Sequence, residues 1–197
     1  IIDIDIDKNG ELAAVSTKNH KVTVFNLEHG TIISQIVLPV NADKIQLTDT
    51  ARYILTSGDD LKISIWDVIT KKILYSIELE QRAEFLSISE EFDMLFVQPF
   101  RKDASLYKLS DGAFISSIEV NNNTITHAEF THEGKRLIFG TNTNSIELWQ
   151  PFLSKKMKQW QLPKVSNSQF SSDSVLDIKE INKRYLVVST DGFLYLL

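Results

Sequence analysis

The sequence predicts an all-β fold made of repeated four-stranded antiparallel units. A short alternating run that closes on a large residue recurs along the 197-residue chain at a nearly constant interval. Around this run, fourteen residues align in four copies without a gap, and no segment shows a helical period. Because self-similarity at a fixed period is the signature of repeat architectures, we interpret the whole chain as one array of similar units.

The large residue that ends each alternating run fixes the register of the repeat. The four runs are KVTVFNL (21–27), KISIWDV (62–68), ASLYKLS (104–110) and SIELWQP (145–151). Their large residues, Phe25, Trp66, Tyr107 and Trp149, follow one another after 41, 41 and 42 residues, and Leu197 takes the same position 48 residues later. The chain therefore holds five units.

Each unit is predicted to contain four strands. Turn residues separate an apolar β-forming run from the alternating run, which predicts a hairpin. A further strand precedes each hairpin and another follows it, and four strands in about 40 residues are typical of a propeller blade. We therefore predict a β-propeller region. Its blades lie at 1–40, 41–80, 81–120, 121–163 and 164–197, the last without its outer strand.

The best-formed copy resembles a WD repeat. Its segment SGDDLKISIWD (57–67) ends on the dipeptide Trp66-Asp67, and no copy has the family's Gly-His pair. The corresponding pairs in other copies are degenerate: Phe25-Asn26, Tyr107-Lys108 and Trp149-Gln150. The resemblance covers essentially the whole chain. It implies the fold strongly, but it names no partner, because one fold hosts many functions.

Two structural roles are expected within the stacked blades. The large residues at 25, 66, 107 and 149 are expected to fill the interfaces between blades, because a blade cannot bury both faces alone. The resemblance implies a second role for Asp60, which matches the family's turn aspartate and would accept hydrogen bonds that brace strands together. The same position holds Asn19, Arg101, Thr143 and Asp191, so only the second and fifth units keep the acid.

The two ends of the chain predict an incomplete ring. Residue 1 opens on the innermost strand of a blade, whereas residue 197 closes on the third strand of another. WD propellers commonly borrow the missing outer strand from the opposite end of the chain, which leaves no unpaired sheet edge. We therefore expect the C-terminal portion of a larger, seven-bladed ring. A closed five-bladed ring is the alternative.

Composition narrows the classes of function and location. A net charge of −5 argues against binding to nucleic acid, which normally uses a basic face. No apolar run is long enough for a membrane helix, and the first residues lack the pattern of a signal peptide. The absence of cysteine excludes disulfides and thiolate chemistry. These features fit an intracellular protein, cytoplasmic or nuclear.

Two groups of residues carry metal-ligand types, although we predict no metal, no cofactor and no catalytic residues. The segment from Asp5 to Gly10, with Asp7 and Asn9, matches the opening of a calcium loop, but its later ligand positions fail. We interpret Asp3, Asp5 and Asp7 as one face of a strand, which is followed by a turn at Asn9-Gly10.

His127 and His132, with Glu129 and Glu133 nearby, could bind zinc if they converged. Strand alternation places 127 and 129 on one face, whereas His132 falls in the turn beyond. A solvated surface cluster is the favoured interpretation.

Two segments are candidates for contact with partners. The segment Gln98 to Lys102, with Phe100, Arg101 and Lys102 as the proposed contacts, occupies the loop between the second and third strands of the third blade. An aromatic residue beside Arg is typical of interface hot spots. The polar connection between blades four and five contains Phe170, and extra loop length often carries function. We therefore predict a scaffold or adaptor that binds other proteins within a hetero-complex. The alternative is a propeller enzyme or metal-binding propeller with an axial site.

Overall fold

A computed structural model describes residues 1–119, 124–131, 133–163 and 174–197 of the chain. The strands of the first and second sheets are β1 (Ile4–Ile6), β2 (Leu12–Thr17), β3 (Lys21–Asn26), β4 (Thr31–Val37), β5 (Ala42–Leu47), β6 (Tyr53–Gly58), β7 (Lys62–Asp67) and β8 (Ile73–Glu78). Those of the third and fourth are β9 (Ala83–Ser89), β10 (Met94–Pro99), β11 (Ala104–Lys108), β12 (Phe114–Ile118), β13 (Ile125–Phe130), β14 (Leu137–Thr141), β15 (Ser145–Gln150) and β16 (Lys155–Gln161). The fifth sheet contains β17 (Val175–Ile181), β18 (Arg184–Ser189) and β19 (Leu194–Leu196).

The predicted all-β fold is confirmed. Each sheet takes its strands in chain order, and every neighbouring pair is antiparallel; four of the sheets have four strands and the last has three. Within the described ranges, the one helical element is a short 3₁₀ turn, Pro151–Leu153. No helix among the described residues is long and apolar enough to cross a membrane.

A β-bulge in each outermost strand marks the register residue of the repeat. In the first four sheets, the strand pairing shifts where the outer strand meets Phe25, Trp66, Tyr107 and Trp149. The extra residues on the outer strands are Ile33, Leu74, Ile115 and Met157. A bulge bends its strand and increases the local twist. The periodic large residue therefore sits at the same bend in each of these sheets.

A second bulge recurs in the innermost strands. In sheets two to five, one residue near the start of that strand has no partner in the ladder, and these residues are Asp43, Glu84, Thr126 and Leu176. Bulges commonly re-aim a side chain near a functional site. In this chain they place two acidic residues at the same end of neighbouring sheets.

The core consists of apolar layers between successive sheets. Trp66 belongs to the layer between sheets one and two, and Trp149 to the layer between sheets three and four. Tyr107 packs on the layer between sheets two and three, and Leu197 on the layer between sheets four and five. Phe25 lies on the corresponding side of the first sheet, opposite the face that carries Val22 and Val24, and in register with Ala13. That face has no neighbouring sheet among the described residues.

The antiparallel strand order gives the sheets two ends. The turns between second and third strands, and the connections between sheets, lie at one end, which we call the upper face. The turns between first and second strands and between third and fourth strands lie at the other, which we call the lower face. Residues 100–103 are on the upper face, whereas residues 90–93 and 109–113 are on the lower face.

Candidate partner-binding face

Phe100 projects from the upper face at a turn with a defined backbone. Its side chain is 43% exposed, and its backbone N–H donates to the carbonyl oxygen of Arg82 at 2.8 Å. Arg101 has a positive φ of 53°, and its guanidinium carbon lies 4.9 Å from the centre of the Phe100 ring. A cation over an aromatic face is attractive. The aromatic ring and the positive charge are therefore presented together.

The turn is stabilised by hydrogen bonds from a buried side chain and by an ion pair with the neighbouring connection. The buried amide of Gln98 donates from Nε2 to the carbonyl oxygens of Pro99 and Lys102, at 2.8 and 2.6 Å. Lys102 Nζ lies 2.7 Å from Glu80 Oε2 in the neighbouring connection. This contact lowers the pKa of Glu80 and raises that of Lys102. The loop around Phe100 is thus pre-organised, which reduces the entropic cost of binding.

A groove of about 750 Å³ lies beside Phe100, between the second and third sheets. Its apolar wall includes Leu61, Phe85 and Phe100. Arg82 crosses the rim and pairs with Asp43, 3.3 Å away, and with Asp59. Convergence of an apolar wall, an exposed ring and placed polar groups is typical of binding sites.

Glu84, one of the bulge residues, lines the same groove. Its oxygen Oε2 is buried and has no hydrogen-bond partner among the described residues. Burial raises the pKa of this carboxyl, and the charges of Arg101 and Lys44 only partly offset that effect. The groove therefore contains an acid whose charged form is poorly compensated, as is common at functional sites.

Asp60, which was expected to accept hydrogen bonds that brace strands together, lies at the turn between β6 and β7. Its carboxylate accepts a hydrogen bond from the backbone N–H of Lys62 at 3.3 Å, across its own hairpin turn. Asp67 likewise caps a turn, accepting from the N–H groups of Ile69 and Thr70 at 3.0 and 2.7 Å. Trp66, in contrast, donates from Nε1 to the hydroxyl of Thr56 at 2.9 Å. Both acids therefore stabilise turns of the second sheet.

The carboxylates of Asp3, Asp5 and Asp7, at the start of the chain, bind backbone groups. Asp3 and Asp5 accept hydrogen bonds from the N–H groups of Ile45 and Leu47, at 2.9 and 2.6 Å, in the innermost strand of the second sheet. Asp7 accepts from the N–H groups of residues 11 and 12 and closes the turn that contains Gly10, whose φ is 71°. The segment joins two sheets, and its acids have hydrogen-bond donors of their own.

The zinc-like residues do not form the predicted solvated surface cluster. The side chains of His127 and Glu129 are only 19% and 21% exposed, because they lie between the innermost strands of the fourth and fifth sheets. Their partners there are Asp177, with Oδ1 3.3 Å from His127 Nδ1, and Lys179, with Nζ 2.7 Å from Glu129 Oε2. Burial acts to raise the pKa of Glu129, but His127 and Lys179 outweigh it, and the pKa is lowered.

The remaining zinc-like residues do not join this group. Glu133 lies in an exposed turn, and His132 lies outside the described residues. The described part of the chain contains no group of three or more His, Cys, Asp or Glu side chains placed to hold a metal ion. The predicted contact residue Phe170 also lies outside the described residues.

Comparison with known proteins shows the class of fold. No protein-family model and no curated protein matches the chain. Among solved structures, the β-propeller domain of Cps50 (Swd1) from Myceliophteria thermophila matches with a TM-score of 0.78 at 11% sequence identity. The match covers 98% of this chain and 64% of that chain. The chain is thus a β-propeller region that spans about two thirds of the length of that domain; at this identity, the likeness shows the fold alone.

The sequence reasoning missed several residues of the upper face. Gln98 and Pro99 were assigned to the loop with Phe100, whereas both belong to β10 and the buried Gln98 amide holds the turn. The acidic bulge residues Asp43 and Glu84 were not identified. A one-residue bulge interrupts the strand at a single position, and apolar and polar residues still alternate before and after it. The sequence therefore carries no evident signal for the bulge. An amide two residues before an exposed aromatic residue was the only available hint.

Proposed function

We propose that this chain is a WD-repeat propeller region that acts as a protein–protein interaction scaffold or adaptor and binds its partner on the upper face. The observation that carries the proposal is the exposed Phe100 ring, which the Arg101 guanidinium covers on one side. The ring lies on a hydrogen-bonded turn beside a groove of about 750 Å³. Aromatic and Arg side chains supply most hot spots of interfaces. The proposed contact residues are Phe100, Arg101 and Lys102, with Phe170 retained as a proposed contact.

A binding function is favoured over a catalytic one by how the polar groups are used. On the innermost strands, Asp3 and Asp5 accept hydrogen bonds from backbone N–H groups. The side chains of His127 and Glu129 pair with Asp177 and Lys179. On the upper face, in contrast, Phe100 is exposed. We accordingly propose no enzymatic activity, and an intracellular hetero-complex as the setting.

We further propose that the five sheets are part of a seven-bladed ring. Ile4 and Ile6 are each 53% exposed on the outer face of the first sheet, and Leu194 and Leu196 are exposed on the last strand of the fifth sheet. Exposed apolar sheet faces of this kind are normally covered by a neighbouring blade. Ring closure by additional sheets would bury them.

The upper-face site is tested by quantitative pull-down from an extract of the source organism. The double variant Phe100→Ala, Arg101→Ala is compared with the unaltered chain and with a control, Phe114→Ala, which removes another exposed ring from an outer strand. We expect the double variant, but not the control, to lose specific partners by tenfold or more, at about 1.4 kcal/mol per tenfold. An unchanged partner list for a folded double variant would exclude this site.

A further inference from the structure

A second pocket opens on the lower face, at the opposite end of the sheets from Phe100. It has a volume of about 280 Å³ and lies between the second and third sheets. Its apolar walls include Tyr53, Leu74, Tyr75 and Leu109. The acidic side chains of Glu90 and Asp93, both half-buried, also line it.

The walls of this pocket are held in place by hydrogen bonds. The Tyr75 hydroxyl donates to the carbonyl oxygen of Leu109, which ties the two sheets together. Asp93 accepts from the N–H and the hydroxyl of Ser110, each at 2.7 Å. Because a carboxylate has about four acceptor positions, Asp93 keeps capacity for a further donor. The site is therefore formed before any ligand arrives.

The electrostatic character of the pocket is negative. No Lys, Arg or His is among the residues that line it. Burial and the negative charges of Asp93 and Asp111 raise the pKa of the Tyr75 hydroxyl to about 12, which reports the same field inside the wall. Arg52, whose guanidinium carbon lies 5.1 Å from the Tyr53 ring centre, is not among the lining residues.

We infer that this pocket binds an arginine side chain of a partner protein, with its aliphatic stem on Leu74 and Tyr75 and its guanidinium between Glu90 and Asp93. An apolar stem and a charged head match a pocket with apolar walls and an acidic rim. Arginine is favoured because its planar guanidinium stacks on aromatic rings and binds carboxylates through several donors. This site is separate from the upper face and does not depend on it.

The inference is tested by NMR titration of the ¹⁵N-labelled full chain with three blocked peptides. The probes are acetyl-Gly-Arg-Gly-amide and its citrulline and norleucine analogues, which keep the shape or the stem but lack the charge. We expect the arginine peptide, at millimolar concentration, to shift the amide signals of Leu74, Glu90, Asp93 and Ser110. Equal shifts with norleucine, or no shifts with arginine, would overturn the inference.

Matched variants test whether binding of the arginine peptide requires the negative charge of Glu90. Glu90→Gln removes one rim charge but keeps an acceptor for the N–H of Thr50, which lies 3.4 Å away. We expect it to weaken binding of the arginine peptide by about threefold, as for a partly exposed ion pair. The adjacent exposed Glu91→Gln should change binding little, whereas Arg52→Gln should strengthen it. Equal weakening by Glu90→Gln and Glu91→Gln would show a general charge effect and contradict a defined pocket. Loss of the upper-face partners leaves this result unaffected, so the two proposals fail separately.

Discussion

The junction between the first and second sheets differs from the junction between the fourth and fifth sheets in how the innermost strands are joined. In the first junction, carboxylates of one strand bind the backbone of the next, through Asp3 with Ile45 and Asp5 with Leu47. In the last junction, side chains bind each other, and Lys179 pairs with Glu129. Innermost strands in the same order are therefore joined by side chain–backbone hydrogen bonds at one junction and by an ion pair between side chains at the other.

The pKa values of the buried acids at the two junctions shift in opposite directions. Burial raises the pKa of Asp5, although the hydrogen bond from Leu47 partly offsets it. The pKa of Glu129 is lowered because its ion-pair partners outweigh burial. The first junction is thus stabilised mainly by its apolar layer, whereas the last also depends on paired charges. The comparison teaches that a regular repeat need not have a uniform response to pH.

The largest expected effect is at the apolar layer of the first junction. Trp66 is only 7% exposed and packs against both sheets. Trp66→Ala should lower the free energy of unfolding by about 3–5 kcal/mol, because it leaves a cavity. Urea unfolding measures the change. Phe114→Ala, which removes a ring that is 61% exposed, serves as the control, and an equal loss there would contradict the assigned role of Trp66.

A second prediction concerns close packing at the last junction. A Cβ at Gly140 would lie 2.3 Å from Val175 Cγ1 in the next sheet. Gly140→Ala should therefore cost about 1–3 kcal/mol through overpacking. In a double-mutant cycle with Val175→Ala, measured by urea unfolding, the double variant should lose less than the sum of the single losses. Additive losses would show that Gly140 is required for another reason.

Much of the fold could be predicted from the sequence because the repeat is local. Fourteen residues define a hairpin, and the closing residue at 25, 66, 107 or 149 marks the same bend in four sheets. The contacts between sheets are less readable. Asp3 and Asp5 were correctly placed on one face of a strand, but their donors lie 42 residues away.

The candidate sites show the same division. Phe100 and Arg101 could be proposed as contact residues because an aromatic residue beside Arg distinguishes this loop from the others by composition alone. The surroundings of His127 and Glu129 were misjudged, because Asp177 and Lys179 come from the next sheet, 50 residues along the chain. No local period reports such partners, and burial between innermost strands is a property of the stacked sheets.

A third prediction compares the pH response of the two junctions. Because the pKa of Asp5 is raised above 3.8 in the native state, the native state keeps this proton to a higher pH than the unfolded chain does. The contribution of Asp5 to the free energy of unfolding therefore falls as pH rises from the unfolded pKa through the native pKa. For Glu129, with a pKa lowered below 4.5, stability is lost as pH falls through the native pKa. Relative to the unaltered chain, Asp5→Asn should become more stable as pH rises, and Glu129→Gln less stable. Unfolding between about pH 3 and about pH 7 measures both slopes, and equal signs would refute the comparison.

The smallest expected effect is on the ion pair of the last junction. Lys179 is 63% exposed at its side chain, so water and salt screen its contact with Glu129. Lys179→Met should lower the free energy of unfolding by less than about 1 kcal/mol, and the loss should shrink further in high salt. Lys183→Met, in an exposed turn of the same sheet, provides the control. If Lys179→Met instead cost as much as the Gly140 variant, independently of salt, the pair would have to act as a buried charge cluster. The last junction would then depend on charge more than on the packing of Gly140 against Val175.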